Sequence, residues 1–294
     1  MVELPALSST AAAPFLDLNS KTSEIDINLL LNGTSSLLVG MNVTTDQSNV
    51  KANGAYIGSQ GLSITSNSGE INVTTLFVNA TGPVGAKAPT TLTSSLGSVS
   101  LNNASLLDSP LTVSTDVSGI MLNNVITSVT HGRSNVALSS ISGGIVASAL
   151  SADWVSMKTK SGAITTDGLM SNGNDAFLGR IDVQSIGGDV RLLKTIAKGY
   201  VHVETNSGNI VVHLTSSTFV GLFYVRSEFG RISVRNGGNS TFDTITPLPT
   251  TDPREQQGLI NCDTSCHYVG DIYVRTIYGN IDVLVGCQDP NACP

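Results

Sequence analysis

Charge is scarce in this chain of 294 residues, because Asp, Glu, Lys and Arg together make up only 13% of it. That share is about half of the usual one. Serine, threonine and asparagine help to fill the gap, and their side chains compete with helical hydrogen bonds. We therefore expect an all-β protein with less than roughly one tenth helix. The net charge of −7 argues against nucleic acid as a partner.

Two kinds of apolar segment are missing as well. The opening residues, MVELPALSSTAAAPFLDL, have neither a basic region nor an unbroken apolar run, so they are no signal peptide. No stretch is long and apolar enough for a transmembrane helix, so we expect no membrane insertion by this chain. If the protein is secreted, as the next two features indicate, we expect this chain to be a processed or truncated form.

Cysteine is absent from the first 261 residues and then occurs at Cys262, Cys266, Cys287 and Cys293. An even number confined to one tail indicates two disulfides made in an oxidising compartment, with three possible connectivities. A zinc site is the alternative, because His267 directly follows Cys266. The spacings match no common zinc module, however. The cysteines therefore predict two disulfides and a secreted or extracellular location.

The first half of the chain is the poorer in charge. It has four Lys or Arg and eight Asp or Glu up to residue 147, against eleven and fourteen beyond that point. Acceptor motifs for N-glycosylation, Asn-X-Ser/Thr, occur at Asn32, Asn42, Asn72, Asn79, Asn103 and Asn239. Five of these six lie in the charge-poor half, where N-linked glycans can replace charge as the solubilising coat. A chain this rich in Asn, Ser and Thr also makes such motifs by chance.

No residue pattern predicts catalysis or metal binding. Nucleophile elbows, phosphate loops and calcium-binding nonapeptides are all absent from the sequence. The four histidines are scattered, at His131, His202, His213 and His267. His202 and His213 flank one turn and point away from the core, but no cysteine or carboxylate pair accompanies them. We predict two solvated histidines there, and no cofactor.

Paired carboxylates would indicate an enzyme, because many β-helices cleave polysaccharides and glycoside hydrolysis needs two carboxyl groups about 5 to 10 Å apart. Asp182 and Asp189 flank the turn at Gly187-Gly188, with Arg191 nearby. Acidic and amide residues beside a turn glycine are also ordinary turn chemistry. We therefore predict no catalytic residue and no enzyme activity.

A repeated pair of short strands organises most of the chain. In Gly199 to Leu214, GYVHVETNSGNIVVHL, apolar and polar residues alternate on both sides of a polar turn. Such alternation is typical of strands buried on one face. Similar units centre on the glycines at positions 69, 97, 119, 144, 162, 188, 208, 230 and 279. Apart from the last, the intervals lie near 23 residues, and a period in this range indicates a solenoid or array.

Two architectures fit this pattern. In a β-solenoid (β-helix) of about nine coils, each repeat is one coil with its glycine at a corner. In a large antiparallel β-sandwich, each repeat is a hairpin, and Val203 lies opposite Val212. Nine hairpins would make an unusually large sandwich, so the pattern favours the solenoid. Its core is predicted to contain Val201, Val203, Ile210, Val212, Val225, Ile232, Val234, Ile272, Val274, Ile281 and Val283.

The chain divides into three parts on this interpretation. Residues 1–22, with Pro5 and Pro14, form an N-terminal arm or linker, and residues 23–61 form irregular N-terminal strands or a cap. Residues 62–294 form the repeat domain. It is interrupted by an insertion over 236–267 and ends in a disulfide-tied tail.

The units TNSGNIVV, SIGGDVRL, SNSGEINV and TIYGNIDV resemble the repeats of adhesin-like β-helix domains, a bacterial family of unknown function. The resemblance covers about Leu62 to Val285 and rests on a turn glycine followed within two residues by Ile or Val. It implies a β-solenoid at the cell surface or envelope, without established catalytic residues. The glycosylation motifs and the cysteine-bearing tail depart from the bacterial pattern and suggest a eukaryotic secreted relative.

One surface pattern predicts a site. Phe223-Tyr224-Val225-Arg226 and Ile272-Tyr273-Val274-Arg275 share the order apolar, Tyr, Val, Arg. With the apolar residues inward, the side chains of Tyr224, Arg226, Tyr273 and Arg275 form an outward strip. Tyr and Arg dominate binding hot spots, and such a strip can hold cell-surface carbohydrate or a partner subunit. Ordinary pairing across an exposed sheet face is the alternative.

Three functions remain open from sequence alone. The first is an extracellular structural or adhesive glycoprotein, which could serve as the subunit of a glycan-coated filament. Such a filament would grow by head-to-tail self-association through the N-terminal arm, because open strand edges recruit other chains. The second is a carbohydrate-binding surface module that uses the outward strip. The third is a β-helix enzyme that degrades polysaccharides.

Overall fold

The computed structural model describes residues 15–28, 38–80, 88–129, 133–171, 179–215, 219–237, 244–262 and 270–286. Across these residues all regular structure is β-strand, so the prediction of an all-β fold is confirmed. The chain forms two compact units, Met1–Gly143 and Gly144–Pro294. No helix in the described ranges has the length and hydrophobicity needed to span a bilayer.

The described residues of the first unit form ten strands. They are β1 (Phe15–Ser20), β2 (Ile25–Asn28), β3 (Leu38–Thr45), β4 (Val50–Ser66), β5 (Ile71–Asn79), β6 (Thr90–Ser94), β7 (Val99–Leu107), β8 (Leu111–Thr115), β9 (Ile120–Ser128) and β10 (Asn135–Ser140).

In the second unit, thirteen strands occur within the described ranges. They are β11 (Ile145–Ala152), β12 (Trp154–Thr159), β13 (Ile164–Ser171), β14 (Arg180–Ser185), β15 (Val190–Ala197), β16 (Tyr200–Ser207), β17 (Ile210–Leu214), β18 (Gly221–Ser227), β19 (Ile232–Asn236), β20 (Ile245–Leu248), β21 (Glu255–Ile260), β22 (Gly270–Tyr278) and β23 (Ile281–Val285).

Both units are built from parallel coils, as a β-solenoid requires. Each coil gives one strand before its turn and one after it. In each unit the strands before the turns form one parallel sheet, which we call the first sheet, and the strands after the turns form a second sheet. In the first sheet of unit one, Ile64 pairs with Leu92, and Leu92 pairs with Val113. Consecutive strands of one coil do not pair with each other as a hairpin. Val203 pairs with Val183 and Val274 rather than Val212, so the antiparallel sandwich is wrong.

The turn between the two strands of a coil is fixed by a serine or threonine three residues before the glycine. In unit two, the hydroxyl of Ser185 accepts the N–H of Gly188 at 2.9 Å. The same hydroxyl donates to the carbonyl of Gly162, in the preceding coil, at 3.3 Å. Ser94 makes both contacts in unit one, with Gly97 and Gly69. These side chains are buried. Each hydroxyl bonds one backbone N–H and one backbone carbonyl that would otherwise be buried without a hydrogen-bond partner.

Glycine is required at this turn because successive coils touch backbone to backbone. A Cβ atom on Gly188 would lie 2.1 Å from the carbonyl oxygen of Gly162, and one on Gly97 would lie 2.1 Å from that of Gly69. Two of the predicted turn glycines are wrong by one residue. Gly143, rather than Gly144, bonds to the turn serine, and Ser118, rather than Gly119, takes the equivalent place.

A second corner has no uniform sequence signature. It bends the strand that follows the turn, at residues with the left-handed backbone conformation. In unit one these are Gly54, Thr75, Asn103 and Asn124, and in unit two they are Ala149, Gly168 and Lys194. The strand registers stack them on one another within each unit. The αL conformation is uncommon outside glycine and asparagine, so stacking of the coils holds Thr75, Ala149 and Lys194 in it.

The predicted core is confirmed except at one end. The side chains of Val203, Val212, Val274 and Val283 have no exposed surface. By contrast, Ile232 and Val234 of β19 are only half-buried. Among the described strands β19 pairs only with β23, which explains their exposure.

The last coil of the chain is not the last coil in space. β22 pairs with β16 on one side and with β18 on the other, and β23 lies between β17 and β19. Residues 270–286, which we call the inserted coil, therefore separate two coils that precede it in sequence. The chain reaches this place through β20 and β21, an antiparallel pair lying against β18. The predicted insertion over 236–267 is thus partly ordered sheet.

The N-terminal boundaries also need correction. Residues 15–20, assigned to the arm, form β1, which pairs in parallel with β3. Residues 38–61, assigned to irregular strands or a cap, already follow the coil pattern, since Val43 of β3 pairs with Ile64 of the next coil. The repeat therefore begins well before Leu62. Its early coils were missed because Ser48 stands in the place of the turn glycine.

Of the four cysteines, only Cys262 belongs to the described residues. It lies two residues after the end of β21, is buried and is disulfide-bonded. The other three, Cys266, Cys287 and Cys293, lie outside the described ranges, as does the predicted pairing between the insertion and the tail.

Four of the six glycosylation motifs fall in strands of unit one, while Asn32 and Asn239 lie outside the described residues. Asn72 and Asn103 are exposed, whereas Asn42 and Asn79 are half-buried. We predict glycans on at least three of the five N-terminal motifs, because the four described asparagine side chains lie outside the core. Mass analysis of native material before and after enzymatic deglycosylation checks this. Asn72→Gln with Asn103→Gln should remove two glycans, and Asn67→Gln, which lies in no motif, should remove none. An unchanged mass would contradict the prediction.

Candidate ligand-binding groove

Polar and aromatic side chains form ordered rows on the outer face of the first sheet in unit two. Because the strands are parallel and in register, residues at equivalent positions become neighbours. One row consists of Asp182, His202, Tyr273 and Tyr224, and a second of Gln184, Glu204, Arg275 and Arg226. A third contains Trp154, Arg180 and Tyr200. The predicted strip of Tyr and Arg residues is therefore one part of a larger surface.

The aromatic rings of the first row touch one another. Tyr224 and Tyr273 stack with their ring centroids 5.5 Å apart and their planes at 11°. Tyr273 meets His202 edge to face at 5.1 Å. Both geometries are favourable for aromatic pairs. The inserted coil supplies the central ring, Tyr273, so this ladder exists only with that coil in place.

A groove of about 560 Å³ lies over these rows. Its lining residues are Arg180, Tyr200, Val201, His202, Glu204, Leu222, Tyr224, Asp271, Ile272 and Tyr273. Tyr200 is the most accessible of the aromatic lining residues, with 44% of its surface exposed. Volume and lining both fall in the range of natural small-ligand sites, which combine aromatic walls with a few placed polar groups.

Two buried polar atoms near the groove have no hydrogen-bond partner among the described residues. Oδ1 of Asp182 is buried and accepts no hydrogen bond from the described residues, although His202 Nδ1 lies 3.4 Å away without hydrogen-bond geometry. Nε of Arg275 is also buried, and no acceptor for it occurs among those residues. Buried polar atoms without partners are uncommon in native structures. Both atoms are closed off from solvent, and neither Asp182 nor Arg275 lines the groove, so a ligand in the groove does not reach them.

The arginine end of the strip is occupied by protein contacts. Arg226 Nη1 donates to Glu255 Oε1 at 2.6 Å, and its Nε donates to Glu228 Oε1 at 2.9 Å. The Tyr224 hydroxyl donates to the same Glu255 oxygen at 2.6 Å. Burial and this hydrogen bond raise the pKa of Tyr224, so the phenol stays protonated. Arg226 thus links β18 to β21, and its guanidinium is engaged in these ion pairs and not in ligand binding.

The two histidines and two aspartates that flank turns in the sequence do not form one site in the structure. His202 enters the groove, whereas His213 lies on β17, in the other sheet, so the two do not meet. Asp182 also belongs to the groove rows, but Asp189 instead accepts the backbone N–H of Asn209 at 2.7 Å, which is turn chemistry. His131 and His267 lie outside the described residues.

Sequence reasoning missed Tyr200, Arg180 and Asp271 as parts of the site. Simple alternation from Val201 would have placed Tyr200 outward. The contact between His202 and Tyr273 had no such signal, because the two residues are 71 positions apart and their coils are neighbours only through the change in coil order. No cluster of three or more potential metal ligands occurs in the described parts of the chain.

Fold and groove together define a β-solenoid protein with a candidate ligand site on one parallel sheet. Comparison of the chain with protein families, with curated proteins and with solved structures finds no match. The resemblance to adhesin-like β-helix domains therefore remains a prediction from the repeat motif.

Proposed function

We propose that this protein is an extracellular adhesive β-solenoid that binds carbohydrate in the groove of its second unit. The observation that carries the proposal is the combination of Tyr200, Tyr224 and Tyr273 with polar groups on one sheet face. Sugars present apolar C–H faces and polar hydroxyl edges, and a tyrosine ring beside hydrogen-bonding groups complements both.

The polar lining suits a hydroxylated ligand better than a strongly charged one. Arg180 carries a positive charge, and Glu204 and Asp271 carry negative charges, so the groove is close to neutral. Arg180 can donate hydrogen bonds to sugar oxygens, and Glu204 and Asp271 can accept them from sugar hydroxyl groups. Parallel sheets hold such groups rigidly, which lowers the entropy lost on binding.

The extracellular part of the proposal rests on sequence features and on resemblance. The cysteine-bearing tail and the glycosylation motifs suit secretion, and the resemblance to adhesin-like domains implies a place at the cell surface. The bonded state of Cys262 agrees with this. We propose binding without cleavage, since no catalytic arrangement was recognised in the sequence.

Binding to a glycan array is the experiment that tests this proposal. Tyr200→Ala and Tyr273→Ala are expected to weaken binding at least about tenfold, which corresponds to about 1.4 kcal/mol. Tyr278→Ala is the matched control, because Tyr278 is 60% exposed and lies outside the groove. Absence of glycan binding by the wild type, or equal losses in all three variants, would refute the proposal. Release of new reducing ends would indicate an enzyme instead.

A structural role by self-association is a second candidate, favoured by the N-terminal edge of unit one. Among the described strands, β1 pairs only with β3 and β2 only with β4. Phe15 is 51% exposed there. In unit two, by contrast, β21 and β20 cover the edge of β18, and Pro247 in β20 is a typical device against further pairing. The edges of β1 and β2, like that of β19 in unit two, are therefore open to pairing with another chain.

Deletion of residues 1–14 tests this second candidate. The cut stops before β1, since β1 belongs to the first coil. If the preceding arm adds a strand to a neighbouring molecule, native assemblies seen by electron microscopy should disappear in the deletion variant. Equal assembly without residues 1–14, or strictly monomeric native material, would contradict arm-mediated assembly.

A further inference from the structure

The two terminal coils of unit two are close copies of each other. Residues 223–234 read FYVRSEFGRISV, and residues 272–283 of the inserted coil read IYVRTIYGNIDV. Both have the same inward apolar positions, the same Tyr and Arg outward, and a turn hydroxyl three residues before a glycine. Either coil therefore carries the features needed to stack on β16 and β17.

The turn contacts show this equivalence directly. Thr276 of the inserted coil donates its hydroxyl to the carbonyl of Gly208 at 3.2 Å. Ser227 makes the same contact one coil further on, to the carbonyl of Gly279 at 2.8 Å. Without the inserted coil, Ser227 and Gly230 could meet Gly208 with the same geometry.

Chain order adds a reason to expect that second arrangement. Residues 221–236 leave the ribosome before residues 270–286, and at that stage β16 and β17 have no other coil to cover them. Uncovered strand edges pair readily with any compatible strand. The inserted coil must afterwards separate β18 from β16 to reach its final place.

We propose that unit two has a second arrangement, in which β18 and β19 stack directly on β16 and β17, and that insertion of residues 270–286 creates the groove. The groove depends on this step because Asp271, Ile272 and Tyr273 come from the inserted coil, whereas Tyr224 and His202 lie on either side of it. A ligand that contacts all three coils binds only the inserted state and shifts the population towards it. What the groove binds rests on the proposed function, but its assembly can be tested without any ligand.

Hydrogen exchange on the full-length chain tests the proposal. In the variant Gly279→Val, the new side chain meets the carbonyl oxygen of Gly208, since even a Cβ atom there would lie 2.0 Å from it. Insertion is therefore blocked. We expect peptides from 270–286 to lose about 100-fold or more in protection while peptides from 221–236 keep theirs, because β18 and β19 move onto β16 and β17. Loss of protection in both segments, or in neither, would overturn the proposal.

Pulse-labelled exchange during refolding of the wild type gives a second, variant-free test. Peptides from 221–236 are expected to become protected before those from 270–286. Simultaneous protection of the two segments would contradict a separate insertion step. Peptides from 154–171 serve as the internal reference in both experiments, because β12 and β13 pair with β14 and β15 and contact neither coil. Neither readout involves glycan binding, so failure here is distinguishable from failure of the proposed function.

Discussion

Replacement of Val203 with aspartate is expected to destabilise unit two by about 4 kcal/mol or more, the largest effect of any single change considered. Val203 has no exposed surface and lies between Val183 and Val274 in the first sheet. A carboxylate at this position would be buried among aliphatic side chains without a partner. The change should appear as a lower midpoint of urea-induced unfolding.

The matched control is Val146→Asp. Val146 lies on a strand of the same unit but points outward, with 42% of its surface exposed. The same chemical change there should alter stability by no more than about 0.5 kcal/mol, as is usual for surface positions. Similar losses in the two variants would mean that the inward and outward assignments are wrong.

Gly188→Ala is expected to cost about 3 kcal/mol, because a single methyl group would collide with the backbone of the neighbouring coil. The added Cβ would lie 2.1 Å from the carbonyl oxygen and 2.5 Å from the carbonyl carbon of Gly162. Backbone atoms held in a parallel ladder cannot rotate away as a side chain can. The melting temperature should fall by roughly 6 to 12 °C, since each kcal/mol is worth about 2 to 4 °C in a unit of this size.

Its neighbour provides the control. A Cβ on Gly187 would come no closer than 3.5 Å to any heavy atom, which is ordinary contact. Gly187→Ala is therefore expected to leave the melting temperature within about 2 °C of the wild type. If both alanines are tolerated equally, the close stacking of coils at Gly188 is contradicted.

The solenoid could be predicted because its signals are local and repeated. Alternation in stretches such as Val201 to Val203 identified the inward residues, and the spacing of turn glycines identified the coil. Two features of the turn escaped. The buried Ser or Thr three residues before the glycine was not recognised, and serine replaces the glycine at Ser48 and Ser118. The constant feature is thus a turn with a buried Ser or Thr hydroxyl, and the residue three positions after that Ser or Thr is most often glycine.

The left-handed corner could not have been predicted from residue type. Thr75, Ala149 and Lys194 occupy it beside Gly54, Gly168 and two asparagines, so propensity gives no common signal. Stacking of like corners within each unit fixes the backbone there. Tertiary context overrides the intrinsic preference of each residue.

The candidate site was only partly accessible to sequence reasoning. The shared order of apolar, Tyr, Val and Arg correctly placed Tyr224 next to Tyr273, since identical patterns stack in register. The partners on the other side were missed, because nothing local shows that the last coil inserts between two earlier ones. That inversion of chain order puts Tyr273 against His202 and opens the groove.

A crystal structure of the protein with the oligosaccharide that binds best on the array decides whether the groove holds carbohydrate. We expect a sugar ring lying over Tyr200 or Tyr273, with hydroxyl groups bonded to Glu204 or Asp271. Density for the sugar elsewhere on the molecule, with the groove holding only water, would contradict it.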